Sequence, residues 1–227
     1  MTHRTVVILK VALWAACLAP LGLLTLQAFG YAGGLGPNPP EKVLDVCGKT
    51  GLNLLVLTLC VSPIRRSTGI GRLVSFRRPL GLFAFFYLLL HFATYALLDR
   101  GLLWDASTAL RTVAADIAER PYITVGFTAL VLLVPLAVTS TRGMQRRLGR
   151  NWAKLHRLVY VCAVLGVVHY YWQVKSDLDF AEPLLYAFLL AVVFGERIKH
   201  RLVHAKTAVA APYQRVQPPQ AGEKPSH

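Results

Sequence analysis

The chain has 227 residues, 55% of them hydrophobic, and its mean hydropathy is +0.47. A soluble domain of this size does not need so much apolar surface, whereas membrane spans of about 20 residues do. The formal net charge of +14 would suit a polyanion, but the cations fall in alternate loops, which argues for membrane topology and against nucleic acid.

Six apolar stretches follow along the chain, at roughly 6–29, 43–62, 79–98, 121–140, 152–174 and 182–197. The run from Thr5 to Gly30 is longer than the apolar core of a cleaved signal and reads as a retained first helix. The Gly33–Pro40 segment is a stiff turn. The second stretch carries Asp45 and Lys49 near one end, then Asn53, which reads as an interhelical hydrogen-bond donor. Pro63 closes it. Pro79, Pro121 and Pro183 stand at or beside helix starts, where a missing N–H is harmless. Pro20 and Pro135 fall inside spans and predict kinks. The connection from Asp99 to Arg120 is long, and Ser107–Ile117 reads as a short surface helix. The sixth stretch is short and runs into Glu196 and Arg197. From about 207 onward, Pro212, Pro218, Pro219 and Pro225 mark a disordered tail. The expected organisation is a membrane domain over 1–206 and a tail over 207–227.

Charge sets the orientation. Arg4, Lys10, Arg65, Arg66, Arg72, Arg77, Arg78, the run from Arg142 to Arg157 and the C-terminal cations make 19 basic residues on one side. Lys42, Lys49, Arg100, Arg111, Arg120 and Lys175 make 6 on the other, mixed with acids. By the positive-inside rule the protein is an all-α, six-helix transmembrane bundle with both termini cytoplasmic, and its basic loops face anionic lipid headgroups. Cys17, Cys47, Cys60 and Cys162 form no CxxC pair and read as small apolar residues. Trp104, Trp152, Tyr170, Tyr171 and Trp172 gather at span ends and read mostly as interface anchors.

Ionisable rings inside such spans carry the functional reading. His91 lies in the third stretch, and His156 and His169 lie 13 residues apart in the fifth. His91 is 12 residues past Pro79, about 18 Å along a helix, and His169 is 17 past Trp152, about 25 Å. Both therefore belong to the outer half and oppose each other as candidate axial haem ligands. The plain alternative is an interhelical hydrogen bond. His156 lies on the inner side, as ligand of a second haem, as a propionate contact or as an ordinary helix contact. On one ideal helix it would stand about 140° around from His169, so the two address different neighbours or the helix is locally rewound. Arg78 stands 13 residues before His91; Arg77 and Arg78 are candidate partners for haem propionates, or plain topology charges. His200 and His204 are four apart in a basic segment and read as solvated. There is neither a GxGxxG fingerprint nor a P-loop.

These residues sit in segments that closely resemble the MsrQ (YedZ) family, within the ferric-reductase-like transmembrane group. The segments are RRPLGLFAFFYLLLHFATYALLD (77–99), RPYITVGFTALVLLVPLAVTS (120–140) and RRLGRNWAKLHRLVYVCAVLGVVHYYWQVKSD (146–177), supported by TGLNLLVLTLCVSPIRR (50–66). The resemblance covers roughly 40–200. It implies a b-type haem, an associated flavin mononucleotide (FMN), electrons from quinol in the bacterial inner membrane, and delivery to a periplasmic molybdopterin-containing methionine sulfoxide reductase that repairs oxidised proteins. His91, His156 and His169 carry over as haem ligands, with Arg78 where the wider group has a fourth histidine. The sulfoxide-reducing site is then expected in the partner. The rival readings are a ferric or other metal reductase, and a transporter whose histidines relay protons.

Overall fold

The computed structural model describes residues 3–174 and 180–210. Among these, every regular element is helical. The order is α1 (His3–Ala28), α2 (Pro39–Thr68), a 3-10 turn (Gly71–Phe76), α3 (Arg77–Thr94) and a π-helical turn (Tyr95–Asp99). Then follow α4 (Ala106–Glu119), α5 (Pro121–Val138), α6 (Arg142–Leu148), α7 (Arg150–Leu155), α8 (Leu158–Val174) and α9 (Ala181–Ala210). Four segments are long and apolar enough to cross a membrane: Arg4–Ala28, Pro39–Thr68, Gly71–Asp99 and Pro121–Val138. The protein is thus a multi-pass membrane protein. α9 runs to Ala210; the expected tail beyond it lies outside the described residues.

Two helix pairs form the frame. α2 packs along α3 and α5 along α8, while α3 meets α5 and α9 lies against α8 and α2. Hydrocarbon gives helices no hydrophobic reason to associate, so close packing and hydrogen bonds must do it. The contact faces are accordingly small: Cys47, Ala84, Cys162 and Ala163 are fully buried. Gly51 is required where α2 crosses α3, since a Cβ there would stand 2.7 Å from Leu88 Cγ. α1 is held more lightly, by Trp14 edge-on to Phe83 and by Tyr87 Oη donating to the Cys17 carbonyl at 2.6 Å. The outward faces carry apolar side chains such as Ile8, Val11 and Phe188, as a lipid-facing surface requires.

Three expectations need correction. Pro63 does not end α2; the helix continues to Thr68 and stops at Gly69, whose φ of 70° is left-handed. Proline lacks the N–H that would bond the carbonyl four residues back, here Leu59. Arg197 of α9 supplies the missing donor, Nη2 to Leu59 O at 2.9 Å, and its other amino group donates to Tyr160 Oη. Asn53 acts as an acceptor, from Tyr186 Oη at 2.8 Å. The fifth stretch is not one helix: α7 stops at Leu155 and α8 begins at Leu158. Trp152 is half-buried, its Nε1 donating to the Thr139 carbonyl at 2.9 Å and its ring stacked on His156. These ties hold α7 against the end of α5, and the chain must turn before α8 can rise.

The connection between α3 and α5 matches expectation. α4 spans the predicted surface helix and is capped by Asp105, whose Oδ1 accepts from Ser107 N at 3.1 Å and Thr108 N at 3.2 Å. Hydrogen bonds from Thr108 and Ser107 favour the charged carboxylate and pull its pKa down to about 2.

Candidate functional site

His91 sits near the end of α3 and His169 near the end of α8, each beside the start of a neighbouring helix. The two rings meet with centroids 6.2 Å apart and planes at 81°. The expected opposition at matching depth is therefore what the fold builds. Each ring is anchored in the same way. His91 Nδ1 lies 2.9 Å from the Leu44 carbonyl of α2, and His169 Nδ1 lies 2.7 Å from the Tyr122 carbonyl of α5. A carbonyl only accepts, so each Nδ1 carries the proton and each Nε2 keeps a free lone pair. That is the arrangement found at metal-bound histidines, where a second hydrogen bond fixes tautomer and ring direction.

Two glycines allow it. A Cβ on Gly126 would stand 2.7 Å from His169 Nδ1, and one on Gly48 would stand 3.0 Å from His91 Nδ1. Each glycine lies four residues, one helical turn, past the anchoring carbonyl: Leu44 with Gly48, Tyr122 with Gly126. The device is repeated between the helix pairs α2–α3 and α5–α8. Nothing in the sequence singled out these glycines or carbonyls. The available signal was the equal spacing of 43 residues from each glycine to its histidine.

The residues suit a haem better than a bare ion. No group of three or more His, Cys, Asp or Glu able to hold a metal occurs among the described residues. Two lone imidazoles complete an iron whose other four donors come from its own macrocycle. Metal–imidazole bonds of about 2 Å put two rings on one iron at centroids about 6 Å apart, as these are.

A charged frame surrounds the pair. Asp116 of α4, only 6% exposed, accepts from Tyr95 Oη at 2.5 Å. Arg120 Nε is 2.8 Å from its Oδ1; Arg100 Nε is 3.0 Å from Oδ2 without the alignment of a hydrogen bond, an ion pair only. Thr124 Oγ1 donates to the Ile117 carbonyl at 2.5 Å, tying α4 to α5 two residues past Tyr122. On the other flank Lys49 pairs with Asp45 at 3.4 Å and Glu182 at 3.1 Å, and Tyr170 Oη donates to Glu182.

His156 lies at the opposite end, between α7 and α8, apart from the other two. Thr139 Oγ1 donates to the Pro135 carbonyl at 2.6 Å, so it accepts from His156 Nε2 at 3.1 Å. That assigns the His156 proton to Nε2, the nitrogen left free in the His91–His169 pair. Trp152 stacks on the ring at 4.0 Å. Arg77, first residue of α3, is half-buried and close enough for its charge to reach His156, while Arg78 is exposed. The angular mismatch expected between His156 and His169 disappears, because no single helix carries both.

The family described as "Ferric reductase like transmembrane component" matches residues 47–167. Curated relatives share most of the chain. The protein-methionine-sulfoxide reductase heme-binding subunit MsrQ of Ralstonia nicotianae is 48% identical over 83% of this chain and 84% of its own. The subunit of the same name in Xanthomonas campestris strain 8004 is 44% identical over 89% and 91%. That of Xanthomonas oryzae strain MAFF 311018 is 42% identical over 97% of both.

Proposed function

This chain belongs to the MsrQ family of ferric-reductase-like transmembrane proteins, and from that premise we propose that it is a membrane cytochrome serving a protein-methionine-sulfoxide reductase. The observation that carries the reading is the imidazole pair, with both Nδ1 atoms bonded to carbonyls and both Nε2 atoms free. Haem b bound there supplies a one-electron ferric–ferrous couple. The protein's part is to hold and shield it. Leu44 and Tyr122 keep the rings turned and their Nε2 atoms unprotonated, Gly48 and Gly126 let the rings seat, and the packed apolar helices exclude water.

In this proposal α8 and α9 join the four long spans to make six, with both termini cytoplasmic in the bacterial inner membrane. The 19-to-6 distribution of basic residues supports it. The histidine pair then lies in the outer half, within reach of a periplasmic molybdopterin-containing partner that reduces methionine sulfoxide. Family resemblance supports quinol as the electron source and FMN as a second cofactor. The proposed place for an anionic cofactor group, propionate or flavin phosphate, is the inner end at Arg77 and Arg78 beside His156. A second haem on His156 is the alternative, and it requires that ring to give up Thr139.

A haem assay on the purified full-length chain tests this. About one low-spin haem per chain is expected, nearly absent in His91→Ala and His169→Ala and retained in His156→Ala. About two haems, falling to about one in His156→Ala, would establish the inner site. Full haem in His91→Ala or His169→Ala would refute the pairing, and a colourless wild type would return the histidines to the transporter reading.

A further inference from the structure

At the inner end of the bundle a groove of about 290 Å³ opens between the last turns of α2 and the distal half of α9. Arg66 and Ser67 line one wall and Lys199 and His200 the other, with Pro63 and Val203 as apolar flanks. Glu196 is the only carboxylate on the groove among the described residues. Neither Arg66 nor Lys199 pairs with a carboxylate among the described residues. The Arg66 Nη2 atom is buried and has no hydrogen-bond partner. A guanidinium donor held out of water without an acceptor is costly unless an anion completes it.

The surroundings say what kind of anion. Ile64 beside Arg66, and Ile198, Leu202 and Val203 along α9, are all exposed apolar side chains. A phosphate on the cations would therefore carry its hydrocarbon directly onto apolar helix faces. We propose that this groove is a binding site for the headgroup phosphate of an anionic phospholipid, with Arg66 as its principal donor and Lys199 as a second charge. The site also explains why α9 continues beyond its buried contacts at Leu190 and Val193: its distal half is one side of a lipid clamp. The inference rests on membrane insertion and not on the haem reading, so a protein without haem tests it equally well.

The test is native mass spectrometry of the detergent-purified full-length chain with phosphatidylglycerol or phosphatidylcholine added in turn. Phosphatidylglycerol should be retained over phosphatidylcholine, and Arg66→Gln should lower that retention about fivefold, since one basic contact is lost. Arg66→Lys should recover part of it, and unchanged helical circular dichroism checks that each variant folds. Equal retention of the two lipids, or undiminished phosphatidylglycerol in Arg66→Gln, would overturn the site. Displacement of the lipid by millimolar inorganic phosphate would overturn the lipid assignment in favour of a soluble anion.

Discussion

The two ends of the bundle satisfy their charges in opposite ways. At the histidine-pair end Lys49, Arg100 and Arg120 each meet a carboxylate, from Asp45, Glu182, Asp99 or Asp116. At the His156 end Arg197 meets only neutral groups, the Leu59 carbonyl and the Tyr160 hydroxyl, with its Nε unpartnered, and Arg66 is likewise left with an open donor. The first end is closed on itself, which suits a rigid seat for two imidazoles. The second is open to anions supplied from outside the chain. A cofactor site and a headgroup-facing surface thus call for different electrostatics within one small fold.

The largest effect is expected where the seat itself is filled. Gly126→Ala places a methyl 2.7 Å from His169 Nδ1, so the ring must leave the Tyr122 carbonyl. Haem content measured on the purified variant should fall by most of its value. Gly48→Ala, with its closest approach at 3.0 Å, should do less.

Next comes the carboxylate that closes the histidine-pair end. Asp116→Ala leaves Tyr95, Arg100 and Arg120 without their shared partner, and loss of that buried acceptor should destabilise the fold. Thermal unfolding in detergent should show the loss. The matching change at the His156 end should be smaller and conditional. Arg197→Leu uncovers the Leu59 carbonyl only because Pro63 cannot bond it. The substitution should therefore destabilise the wild type by about 1 kcal/mol more than it does a Pro63→Ala background. Equal effects in both backgrounds would remove the link between that proline and that arginine.

The smallest effect concerns the α4 cap. With its pKa held down to about 2, against about 3.9 in an unfolded chain, the Asp105 carboxylate supports folding above the unfolded value and fails only as pH falls through the folded one. Amide exchange at Ser107 and Thr108 should keep its protection from pH 7 down to pH 4. Asp105→Ala should speed exchange severalfold at both pH values.

Much of the histidine-pair end was legible in the sequence. Apolar runs marked most of the long helices, and residue counts of about 18 Å to His91 and about 25 Å to His169 put both rings in the same half of the bundle, even though the second count ran across the break before α8. What escaped was whatever depends on a neighbour. The end of α2 was misplaced because the acceptor freed by Pro63 is met by Arg197, 138 residues away from Leu59. The break before α8 was hidden because Trp152 and His156 look like span residues until Thr139 is seen to bind both. Gly48 and Gly126 carry no chemistry of their own, and their meaning exists only against the rings they admit. The inner groove likewise needs α9 folded back onto α2 before Arg66 and Lys199 face one cavity.

Electron paramagnetic resonance of the oxidised, full-length protein bears on the histidine pair itself. Ring planes at 81° on one iron predict a low-spin ferric signal of the strongly anisotropic kind that near-perpendicular axial imidazoles give, lost when either His91 or His169 is changed to alanine. A high-spin signal in the wild type, or a low-spin signal that survives both substitutions, would contradict axial ligation by these two histidines.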